Sequence, residues 1–303
     1  MASPSLVLLA DQFMEFGGPI FGKHVTEWRL RTDGIQVRTN VKTPQALVKI
    51  SAAGQPRPYR IDDDFSNGQV FTNRRITAYQ SKQDWTFDPE VFRNTVLANA
   101  DGVPFYDLAL NQTAKEYLDK VQLNTVYGGS RNESGTTPAD ICNGWKKIID
   151  GMIAGTDEFG DTIIPVATGA ITAANAVAAV ETMKSNAPAW MRQSLTPVIV
   201  YCSFDVFDKY AANYRALNGF KFEPRITGDY PVDNSNIILR PVVWLGTSQR
   251  LIMTVENNLV FGTDNEQVTI AATPYLNYLK CRQLFPAGCQ IQDAEALFVN
   301  DQA

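Results

Sequence analysis

Histidine is nearly absent from this chain, since His24 is the single one among 303 residues. A histidine-based triad or a paired-histidine metal site would therefore depend on that one side chain. The sequence also contains no G-x-S-x-G, G-x-x-x-x-G-K-[ST], G-x-G-x-x-G or H-E-x-x-H motif, so the common nucleophile, phosphate, dinucleotide and zinc-protease signatures are missing. The missing motifs argue against an enzyme without excluding one, and we expect no catalytic residues, no cofactor and no metal site.

Cysteines are few and scattered. Cys142, Cys202, Cys281 and Cys289 show no C-x-x-C spacing, so the sequence signals neither a zinc site nor a redox pair. Long apolar runs are also missing, and the short run from Leu6 to Ala10 cannot span a bilayer. We expect buried free thiols, no membrane partner, and a protein that is made in a reducing cytoplasm.

Basic residues are scarce outside one segment. The formal net charge of −5 argues against a general nucleic-acid binder. Residues 23–82 nevertheless hold eleven Lys and Arg against five Asp and Glu, which leaves 16 against 27 elsewhere. This asymmetry predicts that one part of the molecule attracts another part of a second copy. The alternative is a solvated basic hairpin.

The N-terminal region predicts an irregular arm followed by a hairpin. Residues 1–24 contain Gly17-Gly18-Pro19, a sequence that breaks regular structure. Two alternating segments, Val25 to Arg31 and Ile35 to Val41, then flank Thr32-Asp33-Gly34. Because Asp-Gly is a strong hairpin signal, we predict that these two segments form paired strands.

A second group of strands is poor in large aliphatic residues. The predicted strands are Ala46–Ser51, Arg57–Ile61, Gly68–Thr72, Arg75–Tyr79 and Asp84–Phe87. Gly54, Pro56, Pro58 and Asn67-Gly68 interrupt them. Such a hairpin set buries little of its own surface, so we expect it to project and to be covered by another molecule.

Helices dominate the middle of the chain. Asp88 and Pro89 begin one predicted helix, and a long spine helix runs from about Phe105 to Val126 before Gly128-Gly129. Beyond a polar linker, Thr137 and Thr172 are expected to cap two further helices. The apolar strand Thr196–Cys202 leads directly into a helix that is capped by Ser203 and ends at Gly219. This order predicts an inserted α/β domain.

Short β-branched runs crowd the C-terminal region. They comprise Ile237–Leu239, Pro241–Leu245, Leu251–Val255, Asn258–Asp264, Gln267–Ala272, Tyr275–Phe285 and Gln290–Val299. Runs of this length, bounded by Gly and Asn, predict buried strands that need a partner to cover their apolar face.

The order of these parts resembles the major capsid proteins of tailed bacteriophages, which share the Hong Kong 97-like fold. Two stretches carry most of the resemblance: Thr196-Pro-Val-Ile-Val-Tyr-Cys-Ser-Phe-Asp-Val-Phe-Asp-Lys-Tyr, and Asn258-Leu-Val-Phe-Gly-Thr-Asp through Arg282-Gln-Leu-Phe-Pro-Ala-Gly-Cys-Gln-Ile to Phe298-Val-Asn-Asp. The resemblance covers nearly the whole chain, by pattern more than by motif. It implies an α+β fold with an N-terminal arm, an extended β-hairpin loop, a peripheral domain with a long spine helix, and an inserted α/β axial domain.

The resemblance also implies domain limits. They are 1–41 for the N-terminal arm, 42–87 for the extended loop, 88–129 with 256–303 for the peripheral domain, and 130–255 for the axial domain. An isolated copy is then expected to leave its arm and its loop without support, which only neighbouring copies would supply.

The implied function is self-assembly as hexamers and pentamers into an icosahedral head that encloses double-stranded DNA. The implied partners are further copies of the chain, with portal, scaffolding and decoration proteins. The implied location is the virion, after assembly in the cytoplasm of a bacterial host. The candidate intersubunit contacts are Arg57, Arg60, Arg74 and Arg75, facing acidic residues of adjacent copies, and Asp62, Asp63 and Asp64 for the reverse contacts.

Some members of the family join a loop lysine to a neighbour's asparagine. No lysine lies between Gly54 and Tyr79 here, so we expect a non-covalent shell. An encapsulin-like nanocompartment, which encloses a cargo enzyme in the same fold, is the nearest alternative. A cytosolic α/β enzyme of unknown chemistry is a more distant one, and it predicts a small oligomer instead of megadalton particles.

Overall fold

The computed structural model describes residues 4–42, 44–52, 69–88, 105–193, 196–219, 229–233, 235–264 and 269–302. The α-helices are α1 (Pro4–Thr26), α2 (Arg29–Thr32), α3 (Phe105–Asn124), α4 (Trp145–Ala154), α5 (Ala176–Asn186), α6 (Ala189–Arg192) and α7 (Phe204–Asn218). The strands are β1 (Gln36–Arg38), β2 (Gln45–Ala52), β3 (Gln69–Ile76), β4 (Tyr79–Phe87), β5 (Val198–Cys202), β6 (Tyr230–Pro231), β7 (Ile237–Pro241), β8 (Ile252–Val255), β9 (Leu259–Gly262), β10 (Thr269–Tyr275), β11 (Tyr278–Ile291) and β12 (Leu297–Val299).

The first sheet is organised around the long strand β11. Its order is β1-β9-β11-β10, and β4 also pairs with β11. The helices α1 and α3 pack against this sheet, and their aromatic side chains converge on Phe285 of β11. The ring centroid of Phe285 lies 4.9 Å from that of Phe21 and 5.4 Å from that of Tyr117. Burial of these rings provides a main hydrophobic contact between the helices and the sheet.

The second sheet has the order β12-β8-β5-β7-β6. Its central strand β5 is buried at every position, as expected of a strand that is covered on both faces. The helices α5 and α7 bury Val180, Met183 and Tyr210 in the same core cluster as alternate residues of β5. Strand β12, from the C-terminal end of the chain, pairs with β8 and therefore belongs to this sheet.

The predicted strand-to-helix unit is confirmed. β5 ends at Cys202, and the buried side chain of Ser203 accepts a hydrogen bond from the backbone N–H of Val206 in the first turn of α7. The helix ends at Gly219, which has a positive φ of 73°. A hydroxyl cap and a terminal glycine are local signals, so the sequence alone could specify this unit.

The N-terminal segment corrects the prediction of an irregular arm. Residues Pro4–Thr26 form the helix α1, which packs on β10 and α3 of its own chain. Gly17 does not break this helix, because it allows a close approach to the sheet: a Cβ at this position would clash with the side chain of Ile270. In the sequence, Gly17 suggested a helix break. In the fold it lies within the helix and allows the helix to pack closely against the sheet.

The predicted hairpin around Asp33-Gly34 is also wrong. Residues 29–32 form α2, while β1 pairs in parallel with β9 instead of with the preceding segment. Gly34 has a φ of 79°, and its backbone N–H donates to Arg31, while that of Ile35 donates to Leu30. A glycine with positive φ is common both in hairpin turns and at the C-terminal end of a helix. Here the Asp-Gly pair ends α2 and does not form a hairpin turn.

The remaining predicted elements differ mainly in their limits. The spine helix is confirmed as α3, whereas the predicted helix at Asp88-Pro89 and the predicted strand Arg57–Ile61 lie outside the described residues. The predicted strands Gly68–Thr72 and Arg75–Tyr79 are largely one strand, β3, with Tyr79 beginning β4.

Two predicted elements are 3₁₀ helices in the structure. Thr137 caps a short 3₁₀ helix, Pro138–Asp140, which is separate from α4. Likewise Val243–Leu245 is a 3₁₀ helix and not a strand.

Among the described residues, no helix combines the length and the apolarity that a bilayer crossing requires. Within the same residues, no three histidine, cysteine, aspartate or glutamate side chains lie close enough together to hold a metal ion. The structural features that point to function lie in the two-stranded ribbon formed by β2 and β3, at its contacts with the rest of the protein.

Candidate assembly site at the hairpin root

Strands β2 and β3 form an antiparallel ribbon with eight paired positions, from Gln45 opposite Ile76 to Ala52 opposite Gln69. We call the described part of this ribbon the hairpin root. One side of the root packs on the body, where Leu47 and Ile76 are fully buried against Val41 and Val260. Val48, the neighbour of Leu47, is exposed. The alternation follows from the two-residue period of a strand, and it fixes which face of the ribbon meets the body.

A buried arginine attaches β3 to the body. The side chain of Arg74 is 1% exposed, and its guanidinium donates to Asp157 over 3.1 Å and to Asp161. It also donates to the side-chain oxygen of Gln290 in β11 over 3.1 Å, and it lies 4.8 Å from the ring centroid of Phe159. We call these five residues the Arg74 cluster. They join the hairpin root, the loop after α4 and the central strand of the first sheet.

The geometry of this cluster makes Arg74 a structural residue. The Asp157 side chain is only 6% exposed, so its negative charge is withdrawn from water and depends on the guanidinium for compensation. Arginine suits this position, since its planar fork can donate to several acceptors at once. Gln290 is held from its other end as well, because its amide nitrogen donates to the backbone oxygen of Arg75 over 2.9 Å.

A second cation attaches β2. The ammonium of Lys49 lies 2.9 Å from Asp293 and 2.6 Å from Glu295, two residues that follow β11. The Glu295 side chain is largely exposed, so this pair adds less to stability than the buried Arg74 cluster. Both strands of the ribbon are thus tied to the body by an ion pair, β3 to the loop after α4 and β2 to the residues that follow β11. These two attachments restrict the direction in which the ribbon leaves the body.

Comparisons with known proteins identify the fold. No protein-family model matches the sequence, and no curated protein matches it either. A solved structure of the satellite phage P4 procapsid, which includes the size determination (Sid) protein, contains a chain with a TM-score of 0.63 to this one. The two are 16% identical, and the match covers 93% of this chain and 89% of that chain. This chain has the Hong Kong 97-like capsid fold.

Two further capsid structures support the same fold. The capsid of an empty GTA particle matches with a TM-score of 0.56 and 12% identity, over 89% of this chain and 88% of that chain. The capsid of cyanophage A-1(L) matches with a TM-score of 0.54 and 11% identity, over 89% and 91% of the two chains. The capsid fold therefore accounts for about nine tenths of the sequence.

The capsid fold places the candidate contact residues in different environments. Arg74 faces acidic residues, as expected, but they belong to its own chain, so its side chain is not on the surface where a neighbour could reach it. Arg75 points the other way and is exposed. The remaining candidates, Arg57, Arg60, Asp62, Asp63 and Asp64, lie outside the described residues.

The sequence analysis did not find several residues that contact the hairpin root. Asp157 and Asp161 stand in a glycine-flanked polar segment that suggests a solvated loop, yet the Asp157 carboxylate is buried beneath Arg74. Asp293 and Glu295, which hold Lys49, are separated from it by more than 240 positions. Nothing local marks such partners, because ion pairs across the fold form between residues that only tertiary packing brings together.

A buried acid lies at the end of α2. Asp33 is 6% exposed and lies near Arg29 and Arg240. Burial raises the pKa of Asp33 from 3.8 to about 6, although the two guanidiniums act in the opposite direction. The backbone carbonyl of the same residue accepts a hydrogen bond of 2.8 Å from the hydroxyl of Tyr201 in β5, so the acid lies against the second sheet.

The raised pKa of Asp33 predicts a pH-dependent contribution to stability. The folded protein binds this proton more tightly than the unfolded chain, so the contribution is complete below about pH 4 and is lost as the pH rises through 6. We expect the unfolding free energy of the wild type, relative to Asp33→Asn, to fall by about 2 kcal/mol between pH 4 and pH 7. Urea unfolding at pH 4 and pH 7 measures the difference. The exposed Asp208→Asn is the control, and a pH-independent difference for Asp33→Asn would contradict the assignment.

Proposed function

We propose that this protein is the major capsid protein of a tailed bacteriophage. The observation that carries the proposal is the fold, which is shared over about nine tenths of the chain with a chain of a phage procapsid. In this proposal the chain is structural and not an enzyme. Copies assemble as hexamers and pentamers into an icosahedral head that encloses double-stranded DNA without reading its sequence.

We propose the division of the chain that the family resemblance implies. Residues 88–129 and 256–303 form the peripheral domain, residues 130–255 the axial domain, and residues 42–87 the extended loop, although β12 pairs with β8 in the second sheet. Residues 1–41 precede the loop, although α1 within them lies on its own chain and is not an outstretched arm. The function that we propose therefore rests on the loop, and no longer on the N-terminal segment, for contact between copies.

The hairpin root supports this role for the loop. A ribbon whose two strands are both tied to the body leaves in one fixed direction, so less conformational freedom is lost when its far end meets a neighbour. We propose that Arg57, Arg60 and Arg75 meet acidic residues of adjacent copies, and that Asp62, Asp63 and Asp64 meet basic ones. Arg74 has a different role in this proposal, because it anchors the root within its own chain.

The remaining partners are those that a phage head requires. We propose that portal, scaffolding and decoration proteins meet the assembled shell and not the isolated chain. The location is the virion, after assembly in the host cytoplasm. Without a lysine between Gly54 and Tyr79, the shell is held by burial and by charge pairing.

Electron microscopy of the expressed chain tests the proposal. Negative-stain images at several protein and salt concentrations are expected to show closed particles, or rings of five and six copies. Contacts made by exposed charges weaken with salt, so assembly should decline as ionic strength rises. Small oligomers of fewer than five copies under every condition, also when the scaffolding protein of the same genome is supplied, would overturn the shell function.

The contents of native particles separate the two shell functions. Particles purified from the producing organism and treated with nuclease should release protected double-stranded DNA if the chain encloses a genome. Recovery of one defined cargo protein without DNA would instead establish an encapsulin-like nanocompartment. A single small oligomer with an enzymatic activity would establish the third possibility, a cytosolic enzyme.

A further inference from the structure

We propose that Cys142 and Cys289 are a modification site, at which a small peroxide oxidant converts two thiols into one intrachain disulfide. The two residues are separated by 147 positions in the sequence, and no local spacing connects them. The fold brings them together. Cys142 lies in the segment before α4, and Cys289 lies in the C-terminal half of β11.

The two cysteines are neighbours in the fold. Both belong to the same buried core cluster and line the same cavity, and the Cys142 side chain contributes, after burial, to the raised pKa of Cys289. The neighbouring residues hold the two segments side by side, because the indole nitrogen of Trp145 donates to the backbone oxygen of Gln290 over 3.1 Å. Trp145 is fully buried, so water does not compete for this hydrogen bond. A disulfide between them requires the two sulfurs to come within about 2.05 Å of each other.

A small oxidant can reach this pair. Cys142 and Cys289 both line a cavity of about 250 Å³, whose other walls include Tyr79, Asn143 and Lys147. Asn143 and Lys147 are exposed, so the cavity opens to solvent. Since one water occupies about 30 Å³, hydrogen peroxide has ample room. Cys289 is 8% exposed and Cys142 only 1%, which makes Cys289 the thiol that the oxidant meets first.

The other two cysteines provide the contrast. Cys202 lies in the core of the second sheet, where its thiol donates to the backbone oxygen of Arg240 over 3.7 Å. Cys281 lies in the separate cluster between α1 and the first sheet. All four thiols are free and buried in this structure. Cys202 and Cys281 belong to clusters that differ from each other and from that of Cys142 and Cys289. They are therefore controls for a buried cysteine that has no second cysteine in its cluster.

The reaction has two steps, and its atoms balance. The thiolate of Cys289 attacks one oxygen of hydrogen peroxide, the O–O bond breaks, and the products are a Cys289 sulfenic acid and hydroxide, which takes up the released proton to become water. The sulfur of Cys142 then attacks the sulfenic sulfur, the S–O bond breaks, and a second water leaves as the S–S bond forms. In sum, two thiols are oxidised, one peroxide is reduced, and two waters are released.

The reaction is expected to be slow. Burial raises the pKa of the Cys289 thiol well above its ordinary value, so little thiolate is present at neutral pH. A slow oxidation of this kind gives a lasting cross-link and not a rapid sensor. The chemistry is independent of the proposed shell function. Only its setting rests on that function, because a virion leaves the reducing host cytoplasm and then meets oxidants.

The cross-link would join two distant parts of the chain. Between Cys142 and Cys289 lie α4 to α7 and most of the second sheet. Closing so long a loop removes much of the conformational entropy of the unfolded chain. We expect a rise in melting temperature of roughly 5 to 10 °C on oxidation, reversed by dithiothreitol.

Mass spectrometry of the full chain tests the proposal. The purified protein is treated with millimolar hydrogen peroxide, denatured, alkylated with N-ethylmaleimide and weighed. We expect two alkylated thiols instead of four, a chain about 2 Da lighter before alkylation, and one tryptic peptide pair that joins Cys142 to Cys289. The Cys202→Ser/Cys281→Ser double variant should form the same cross-link and leave no thiol to alkylate.

Other outcomes would overturn the proposal. These are four alkylated thiols after prolonged oxidation, a cross-link between chains or to another cysteine, or a sulfinic acid at Cys289 without a cross-link. The Cys142→Ser variant should instead take up oxygen at Cys289. If that variant fails to fold, the peptide map of the wild type still decides. Particle formation is measured separately, so failure of the cross-link and failure of the shell function remain distinguishable.

Discussion

Replacing Arg74 with methionine is expected to lower the free energy of unfolding by about 3 to 5 kcal/mol, because the change leaves a buried carboxylate without its counter-charge. In this variant Asp157 loses its guanidinium partner. The side-chain oxygen of Gln290 also loses the hydrogen bond of 3.1 Å that the guanidinium donates. Methionine keeps much of the side-chain volume, so lost packing contributes little. Urea unfolding of the dissociated protein measures the change.

The chain offers a matched control for this substitution. Arg75 is the next residue in β3 and carries the same side chain, but it is exposed. Arg75→Met is expected to stay within about 0.5 kcal/mol of the wild type. Equal losses from the two substitutions would show that the Arg74 cluster is not what holds the ribbon. Adding Asp157→Leu to Arg74→Met should recover part of the loss, since the stranded charge is then absent.

Excision of residues 53–68 is expected to abolish particle formation while leaving the folded chain intact. In this variant an Asn-Gly dipeptide joins Ala52 to Gln69, which are opposite each other in the β2–β3 ladder. Asn-Gly suits a two-residue hairpin turn. Shortening the connection reduces its closure entropy, and by this term alone the chain gains about 2 kcal/mol. The excised residues include Arg57, Arg60 and the three aspartates at 62–64.

Two measurements test the folding and the assembly of this variant. Circular dichroism and urea unfolding report whether the body still folds, and analytical ultracentrifugation reports whether particles form. A folded chain that stays small would support the extended loop as the main contact between copies. Normal particles from the excised chain would refute that role, whatever the stability measurement gives. A control chain that carries Arg75→Met and the complete loop should still assemble, but its particles should dissociate at a lower salt concentration than those of the wild type.

Local signals in the sequence were sufficient wherever one short stretch held all the information. The Ser203 cap, the apolar strand before it and Gly219 after the helix are such a stretch, and the structure reproduces them. The spine helix is another, because its 3.6-residue pattern buries Leu110, Ala114, Tyr117 and Val121 together. The family resemblance drawn from the order of these elements agrees with the fold of the solved capsid structures.

Local signals misled where one residue type serves two purposes. Gly17 suggested a break and instead makes room for Ile270, while Gly34 suggested a hairpin and instead ends α2. In both cases the backbone freedom of glycine was real, but the sequence did not specify which neighbour would use it. Arg74 and Arg75 are adjacent and identical in type, and only the pleat of β3 decided that one is buried and the other exposed.

The sequence by itself determined the spine helix, the strand-to-helix unit at Ser203, the scarcity of catalytic groups, and a basic segment beside an acidic remainder. The tertiary structure alone decided which distant residues meet, namely Arg74 with Asp157, Lys49 with Asp293, and Cys142 with Cys289. The physical reason is range. Capping, turn geometry and hydrophobic period act within a few residues. These three contacts join positions separated by 83 to 244 residues, which only the tertiary packing brings together.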